Sequence, residues 1–600
     1  MKKSNLFKKM LAVVLALVSV FAFVGCGDGG GGFLGGGGKL SRMYFLCAGT
    51  TDTLGVYNDM VAEFNATVGK ENGFEVKVSP KPTKGYETFY SNQVTSSSGA
   101  DVLCCLDESF KAYSSYYEDL TPLLPADFND QFVDGLSYRY HYNLANGTTS
   151  DSDPLYALPV YNNATVLYYN KTALKNAGVV CISVDEDKIA DFNNGGEDNN
   201  GKTKADYGIS GVTVLKKGFY RSGTPYVKPA NEHDGSSWVK PASGEVMIFN
   251  ERISMNWNEI EDLAMLTTKT HNASSPTDYG YYTEWWFNHG WTVGGDCLED
   301  TTGNGDWVYT HANPLSNYIV KEGKTYVGTI SGDTYTAGET IDFCDILGVS
   351  QGKTIVANND GTYSVDGSVI GVCADVLAKA EDGTLGELPS TREAFSRFAY
   401  LAGVGGLNVC PYPNAFVSTD SPGFFTSGKL AMLLERSEFI PRIQRDADFE
   451  WGIAELPQYK EYTEQSNPNC DTTVVVGKKA SHSMGTALVM RKGTKVKNRA
   501  IIFMKWMTTA GQTFNAKKGV LPTTKADLAT FKENYPNDNA QMLVEASTYE
   551  TAGDWWYLKD GAWINTWADP LNIYVRYGQL SLEQFFDQYV GTSNDILKNY

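Results

Sequence analysis

Asp101-Val102-Leu103-Cys104-Cys105-Leu106-Asp107-Glu108-Ser109 decides the fold class. The unbroken apolar run from Val102 to Leu106 is what a strand buried on both faces requires. The short polar residues after it open a helix that reads on to Tyr117. Upstream the same order occurs twice already. Met43 to Cys47 is a short apolar run ended by Ala48-Gly49, and Leu54 to Val68 has helical apolar spacing. Phe74 to Val78 alternates as a strand and Tyr86 to Val94 reads as a helix. Strands alternating with helices imply a parallel sheet covered on both faces, an α/β fold. In such sheets ligands sit beyond the carboxyl ends of the strands. Those ends carry Gly49-Thr50-Thr51-Asp52 and Asp107-Glu108-Ser109.

Downstream, Asn162 to Lys171 reads as a strand that crosses the molecule. Arg392–Leu401, Gly428–Ile443 and Val496–Thr509 read as helices. Residues 184–254 and 301–371 are polar, rich in glycine and weakly periodic, and read as partly β insertions. Hydrophobic residues are 42% of the 600-residue chain, enough for a sizeable core.

The N-terminus carries an export signal. Lys2, Lys3, Lys8 and Lys9 precede an uncharged stretch from Met10 to Val24, shorter than the roughly 20 residues a membrane-spanning helix needs. It stops at Phe23-Val24-Gly25-Cys26, which resembles a bacterial lipobox, with Phe23 where an aliphatic residue is usual. Residues 1–25 are thus expected to be a lipoprotein signal peptide. Residues 26–40 are expected to be a lipidated Cys26 followed by a glycine-rich tether that cannot pack a core. The formal charge is −20, which argues against nucleic acid or anionic lipid as a partner.

Several chemistries fail on their spacing. The nine cysteines after Cys26 form no zinc or redox pattern and read as mostly buried thiols. The six histidines give no zinc site. Gly348-Val349-Ser350-Gln351-Gly352 fits a nucleophile elbow in letters, but strand-like residues follow it where a helix is needed. It reads as a surface hairpin turn. Asp198 to Asp206 is similar to a calcium loop, yet Lys202 and Thr203 replace a ligand and the turn glycine, so it reads as structural. No cofactor is expected.

Aromatic residues are 13% of the chain, and they cluster in polar segments, Tyr279 to Trp291 and Asp554 to Trp567. Several ordered motifs resemble the carbohydrate-binding lipoproteins of ABC importers, the family that includes maltose-binding protein. These are Asp101-Val102-Leu103 with Leu120-Thr121-Pro122-Leu123, then Tyr156-Ala157-Leu158-Pro159 with Tyr168-Tyr169-Asn170-Lys171. Asn256-Trp257-Asn258-Glu259 follows, then Ser427-Gly428-Lys429-Leu430-Ala431-Met432, taken as a helix, and the strand Trp451 to Pro457. Ala500 to Lys518 with Gly519-Val520-Leu521-Pro522 closes the series.

The resemblance implies a two-lobed, type II periplasmic-binding fold with a hinge. Its first lobe would be 41–161 with about 483–525. Its second would be about 162–482 with 526–600, carrying the two insertions. It further implies that the protein is not an enzyme. A carbohydrate would be captured outside the cell, at the outer face of the membrane, and passed to two permease subunits driven by a cytoplasmic ATPase. The implied ligand contacts are Thr51, Asp52, Asp107, Glu108, Asn163, Glu284, Trp285, Trp286, Trp291, Arg436, Glu438, Trp563 and Trp567. Short polar groups suit sugar hydroxyls, and indoles suit the C–H faces of pyranose rings. Trp555 and Trp556 fall near the same C-terminal aromatic region. Glu438 stands where maltose-binding protein stacks a tryptophan. The alternatives are a cell-surface glycoside hydrolase and a non-catalytic glycan-adhesion lipoprotein.

Overall fold

The computed structural model describes residues 40–47, 51–79, 86–145, 147, 149–283, 285–300, 307–350, 353, 355–358, 362–411, 420–535, 540–549, 551, 558 and 562–598. The signal peptide, Cys26 and almost all of the tether lie outside these residues.

The strands expected near the N-terminus form as β1 (Ser41–Leu46), β2 (Phe74–Val78) and β3 (Val102–Leu106). The helices between and after them are α1 (Thr51–Ala66), α2 (Tyr86–Thr95) and α3 (Asp107–Tyr113). β1 and β3 run parallel, with Phe45 opposite Val102. The helix after β3 is shorter than its apolar pattern suggested and tightens into a single 3₁₀ turn at Ser114–Tyr116.

The crossing strand is β4 (Ala157–Asn170), joined in the same sheet by β5 (Tyr279–Tyr282), β6 (Leu430–Arg436), β7 (Trp451–Ala454) and β8 (Ser483–Met490). The sheet runs β2-β1-β3-β8-β4-β6-β5, and β7 also pairs with β4. The two halves of β4 have different neighbours. Ala157 to Ala164 pairs antiparallel with β8, whereas Thr165 to Tyr169 pairs with β6. The register slips where Thr486 faces Tyr161 and Ala487 faces Pro159. Pro159 has no N–H to give the ladder, so a bulge at this point is the expected accommodation. The carbonyl of Val160, left over by the slip, accepts the Gln512 side-chain amide at 3.0 Å.

This change of neighbours divides the hydrophobic interior. One core gathers Phe45, Phe64, Leu103, Leu158, Leu488 and Phe503; the other gathers Leu167, Trp257, Leu263, Leu433, Phe395 and Trp563. α4 (Trp257–Leu266) starts on a full capping box, in which Asn256 and Glu259 each accept the other's backbone N–H.

Gly428–Ile443, read as a helix, is instead a strand and then a helix. Gly428, at φ 74°, closes the helix Ser421–Thr426; β6 follows, and helix resumes at Ile440–Asp446. The physical reason is enclosure. Leu430 to Leu434 is buried and hydrogen-bonded on both sides, to β4 and β5, and a short apolar run of this kind fits strand or helix equally.

Within 184–254, Phe219–Arg221 and Met247–Asn250 build a small sheet with Val179–Ile182. Within 301–371, short antiparallel hairpins form over two small cores. Gly348 is the left-handed cap of the helix Phe343–Leu347, rather than part of a hairpin turn. Asp198 folds its carboxylate inward onto the amides of Asn200 and Lys202 and the hydroxyl of Tyr207. Those protein donors occupy the oxygens that a calcium ion would need.

Candidate functional site

Where β4 passes from one core to the other, its side chains face the turn that follows β6. Asn163, buried on β4, accepts the Glu438 amide at 2.9 Å and the Ser437 hydroxyl at 3.3 Å. Arg436, at the end of β6, ion-pairs through Nη1 with Glu438 Oε1 at 3.1 Å and through Nε with Glu435 at 3.4 Å. Its guanidinium also lies 5.3 Å from the Phe439 ring centre. Asn163, Arg436 and Glu438, distant in sequence, thus meet in the fold.

Beside them is a cavity of about 250 Å³, to which both cores contribute. Val56 and Tyr161 come from the first; Ile440, Phe531 and Leu543 come from the second. Glu438, Gln444, Lys518 and Tyr535 add polar groups. Lys518 is held by Asp59 at 2.7 Å. Among the described residues the buried Tyr535 hydroxyl has no hydrogen-bond partner, and burial pushes its ionisation upward. An orphaned buried hydroxyl costs about 1–3 kcal/mol, which a ligand that bonds to it would recover. Such a lining, mostly apolar with a few polar groups, is what small-molecule sites generally show.

Asp107, read as a ligand contact, is a structural tie instead. Both its oxygens are taken by protein donors: Arg139 at 2.6 Å, the Tyr140 hydroxyl at 2.7 Å and the Gly485 amide at 2.5 Å. Arg139 also donates to the Ser483 carbonyl at 2.7 Å. The cluster therefore joins the start of α3 to β8, one of the strands paired with β4. Gly485 is required there, since a Cβ would lie 2.4 Å from the Tyr140 hydroxyl oxygen.

The tryptophans also differ from expectation. Trp286, Trp291, Trp563 and Trp567 are buried in the second core. Trp567 and Phe395 both pack on His311, with ring centres 4.8 and 4.7 Å away. Trp563 packs on Tyr309 at 6.0 Å. Their indole faces are covered by other rings, so none presents a free face to a sugar. Trp285 is half-buried at the edge of the same core. The side chains of Thr51, Asp52 and Glu108 lie outside the described residues, as do Glu284, Trp555 and Trp556.

Sequence reasoning missed Tyr161, Lys518 and Tyr535. Tyr161 adjoins the quoted crossing motif, but nothing local distinguishes Tyr535 from the other tyrosines of the chain. Among the described residues no group of His, Cys, Asp and Glu could hold a metal ion, and no helix is long and apolar enough to cross a membrane.

Residues 49–238 match the family described as bacterial extracellular solute-binding protein. A substrate-binding protein of an ABC transporter from Listeria monocytogenes, solved with cycloalternan, aligns over 94% of this chain and 99% of its own, with TM-score 0.52 and 14% identity. The cyclic α-maltosyl-1,6-maltose binding protein of Arthrobacter globiformis aligns over 94% and 100%, with TM-score 0.53 and 14% identity. A solute-binding protein from Thermotoga lettingae, bound to α-D-tagatose, aligns over 93% and 100%, with TM-score 0.50 and 15% identity. No curated protein matches the chain in sequence. The resemblance carried by the motifs is borne out, and with it the two-lobed α/β fold of these binding proteins.

Proposed function

We propose that the protein captures a carbohydrate, an oligosaccharide in its natural setting, outside the cell and delivers it to an ABC permease. The observation that carries this reading is the cavity on the seam between the two cores, with Glu438 and the orphaned Tyr535 hydroxyl on its wall. A carboxylate accepts from two adjacent hydroxyls, and a phenol can donate to a third oxygen. The apolar surfaces of Tyr161, Ile440 and Phe531 suit the C–H face of a sugar ring. The oligosaccharides bound by the Listeria and Arthrobacter proteins of the same fold support the ligand class.

The finer assignments follow from this reading. The first lobe comprises 41–161 and about 483–525; the second comprises about 162–482 and 526–600, with insertions near 184–254 and 301–371. Thr51, Asp52, Glu108 and Glu284 add polar contacts, and Trp285 adds an aromatic one. Cys26 carries the lipid that keeps the protein at the outer face of the membrane, beside two permease subunits and their ATPase. The protein performs no chemistry on its ligand.

Thermal shift of the mature chain against a panel of oligosaccharides tests the reading. A rise in Tm with at least one glycan is expected. Shifts with peptides alone, or release of reducing sugar from a bound glycan, would remove it.

A further inference from the structure

The turn after β8 breaks the acidic character of the chain. Arg491-Lys492-Gly493-Thr494-Lys495-Val496-Lys497-Asn498-Arg499 holds five basic residues and no acid, in a protein of formal charge −20. β8 runs antiparallel to β3, with Met490 opposite Val102, so this turn lies at the end of the sheet where β1 and β3 begin. Tyr161 of the seam cavity, opposite Thr486, lies toward the other end. Asp101 fixes the turn in place. Its amide donates to the Tyr44 carbonyl at 2.9 Å and its carbonyl accepts the Arg491 amide at 3.0 Å. Its carboxylate accepts the Tyr44 amide at 3.0 Å and the Thr494 hydroxyl at 2.6 Å. Gly493, at φ 76°, supplies the tight bend.

The acids beside this turn are engaged. Asp101 also faces the buried Arg491 at 3.8 Å, and Glu118 pairs with Lys497. Three cations are left without an acid among the described residues. Lys492 donates to the Ser115 carbonyl at 3.3 Å, and the side chains of Lys495 and Arg499 make no hydrogen bond or ion pair there. Two exposed rings flank them. Tyr116, 43% exposed, accepts the Lys492 amide on its carbonyl at 2.8 Å, and Tyr44, 48% exposed, adjoins Asp101. Unbalanced cations next to amphipathic rings are the combination that settles on an anionic lipid surface.

The course of the chain favours a membrane as the partner. β1 begins at Ser41, at this same end of the sheet, and 13 residues, 27–39, separate Leu40 from Cys26. At no more than about 3.6 Å per residue, lipid on Cys26 would keep the start of β1 within about 50 Å of the bilayer. An anchor makes a weak second contact intramolecular and so concentrates it, and a basic patch strengthens the hold of a lipid chain. The net charge opposes adsorption of the whole body but not of one basic face, since repulsion of the acidic remainder turns that face toward the bilayer. We propose that Lys492, Lys495 and Arg499, with Tyr44 and Tyr116, form a docking face for anionic phospholipid headgroups. It orients the anchored protein, between encounters with the permease, with the seam cavity away from the bilayer. The proposal rests on the lipid anchor at Cys26 and is independent of the ligand's identity.

Amide hydrogen exchange on vesicles tests the proposal. The mature chain, with hexahistidine in place of Cys26, is held on nickel-chelating lipid in vesicles of phosphatidylcholine, alone or with about one-third phosphatidylglycerol. The supplied tether makes the result depend on the face and not on lipidation, which the intact mass of the exported protein reads separately. Exchange across 492–499 should be at least threefold slower on the anionic vesicles than on the neutral ones. The difference should vanish in about 1 M salt, where the Debye length is about 3 Å. Lys495→Glu together with Arg499→Glu should abolish it, with Tm and the response to glycans unchanged. The proposal is overturned if exchange is the same on both vesicles, if the double variant is protected as well as the wild type, or if protection survives the salt. Protection by soluble polyphosphate but not by anionic vesicles would overturn it in favour of a soluble polyanion.

Discussion

The backbone amide of Glu438 donates to the side-chain oxygen of Asn163 across 2.9 Å, fastening the turn after β6 to the strand that both cores share. Asn163→Ala removes that acceptor and leaves a buried N–H without a partner, at about 1–3 kcal/mol. The turn then loosens and Glu438 loses its fixed position. Glycan affinity should fall about tenfold, with a modest drop in Tm, whereas Asn163→Asp keeps an acceptor and should restore most of the affinity. Equal affinities in all three proteins would show that the tie does not position the turn.

Asp107 and Arg139 form an ion pair at 2.6 Å, with both side chains about 3% exposed. Removing one partner of such a pair strands the other charge and costs about 3–5 kcal/mol. Asp107→Ala should therefore lower unfolding stability by about that amount in urea melts. The folded fraction should still bind glycan, because both Asp107 oxygens are already taken by protein donors. A variant of wild-type stability with abolished binding would return Asp107 to the ligand site.

His311 sits between Phe395 and Trp567, with neither ring nitrogen bonded among the described residues, and burial lowers its pKa to about 3. The unfolded chain, with histidine near 6.5, binds the proton more readily than the folded one. Stability contributed by the neutral ring is thus complete above pH 6.5 and is lost as pH falls toward 3. Between pH 7 and 5 this single group should cost about 2 kcal/mol. His311→Phe should show a loss over that interval smaller by about the same amount. Parallel losses in the two proteins would mean that the ring is protonated in the fold.

Trp563 and Trp285 should separate by role. Trp563 is 1% exposed in the second core, and its truncation to alanine should destabilise by about 3–5 kcal/mol while leaving affinity per folded molecule unchanged. Trp285→Ala should cost little stability and weaken glycan binding. Denaturant melts paired with calorimetry check both.

What the sequence discloses here is local order. The apolar run Val102–Leu106, the alternation in Phe74–Val78 and the helical spacing from Leu54 each become the expected element, because near neighbours dictate them. Leu430 to Leu434 misleads, since its burial comes from β4 and β5, far away in the chain. The tryptophans mislead for a related reason. Polar neighbours in sequence suggested exposure, but the rings that cover Trp567 belong to His311 and Phe395. Asp107 was legible as a residue at a strand end and illegible as the partner of Arg139. The cavity is assembled from Val56, Tyr161, Glu438 and Tyr535, and no spacing in the chain announces that they meet.

The most direct measurement is calorimetric titration of the mature chain with neutral oligosaccharides, in parallel with the double variant Glu438→Gln, Tyr535→Phe. The account predicts one saturable site per chain in the wild type and at least tenfold weaker binding in a variant whose Tm is retained. Undiminished binding in that variant, or no binding of any glycan by the wild type, would contradict it.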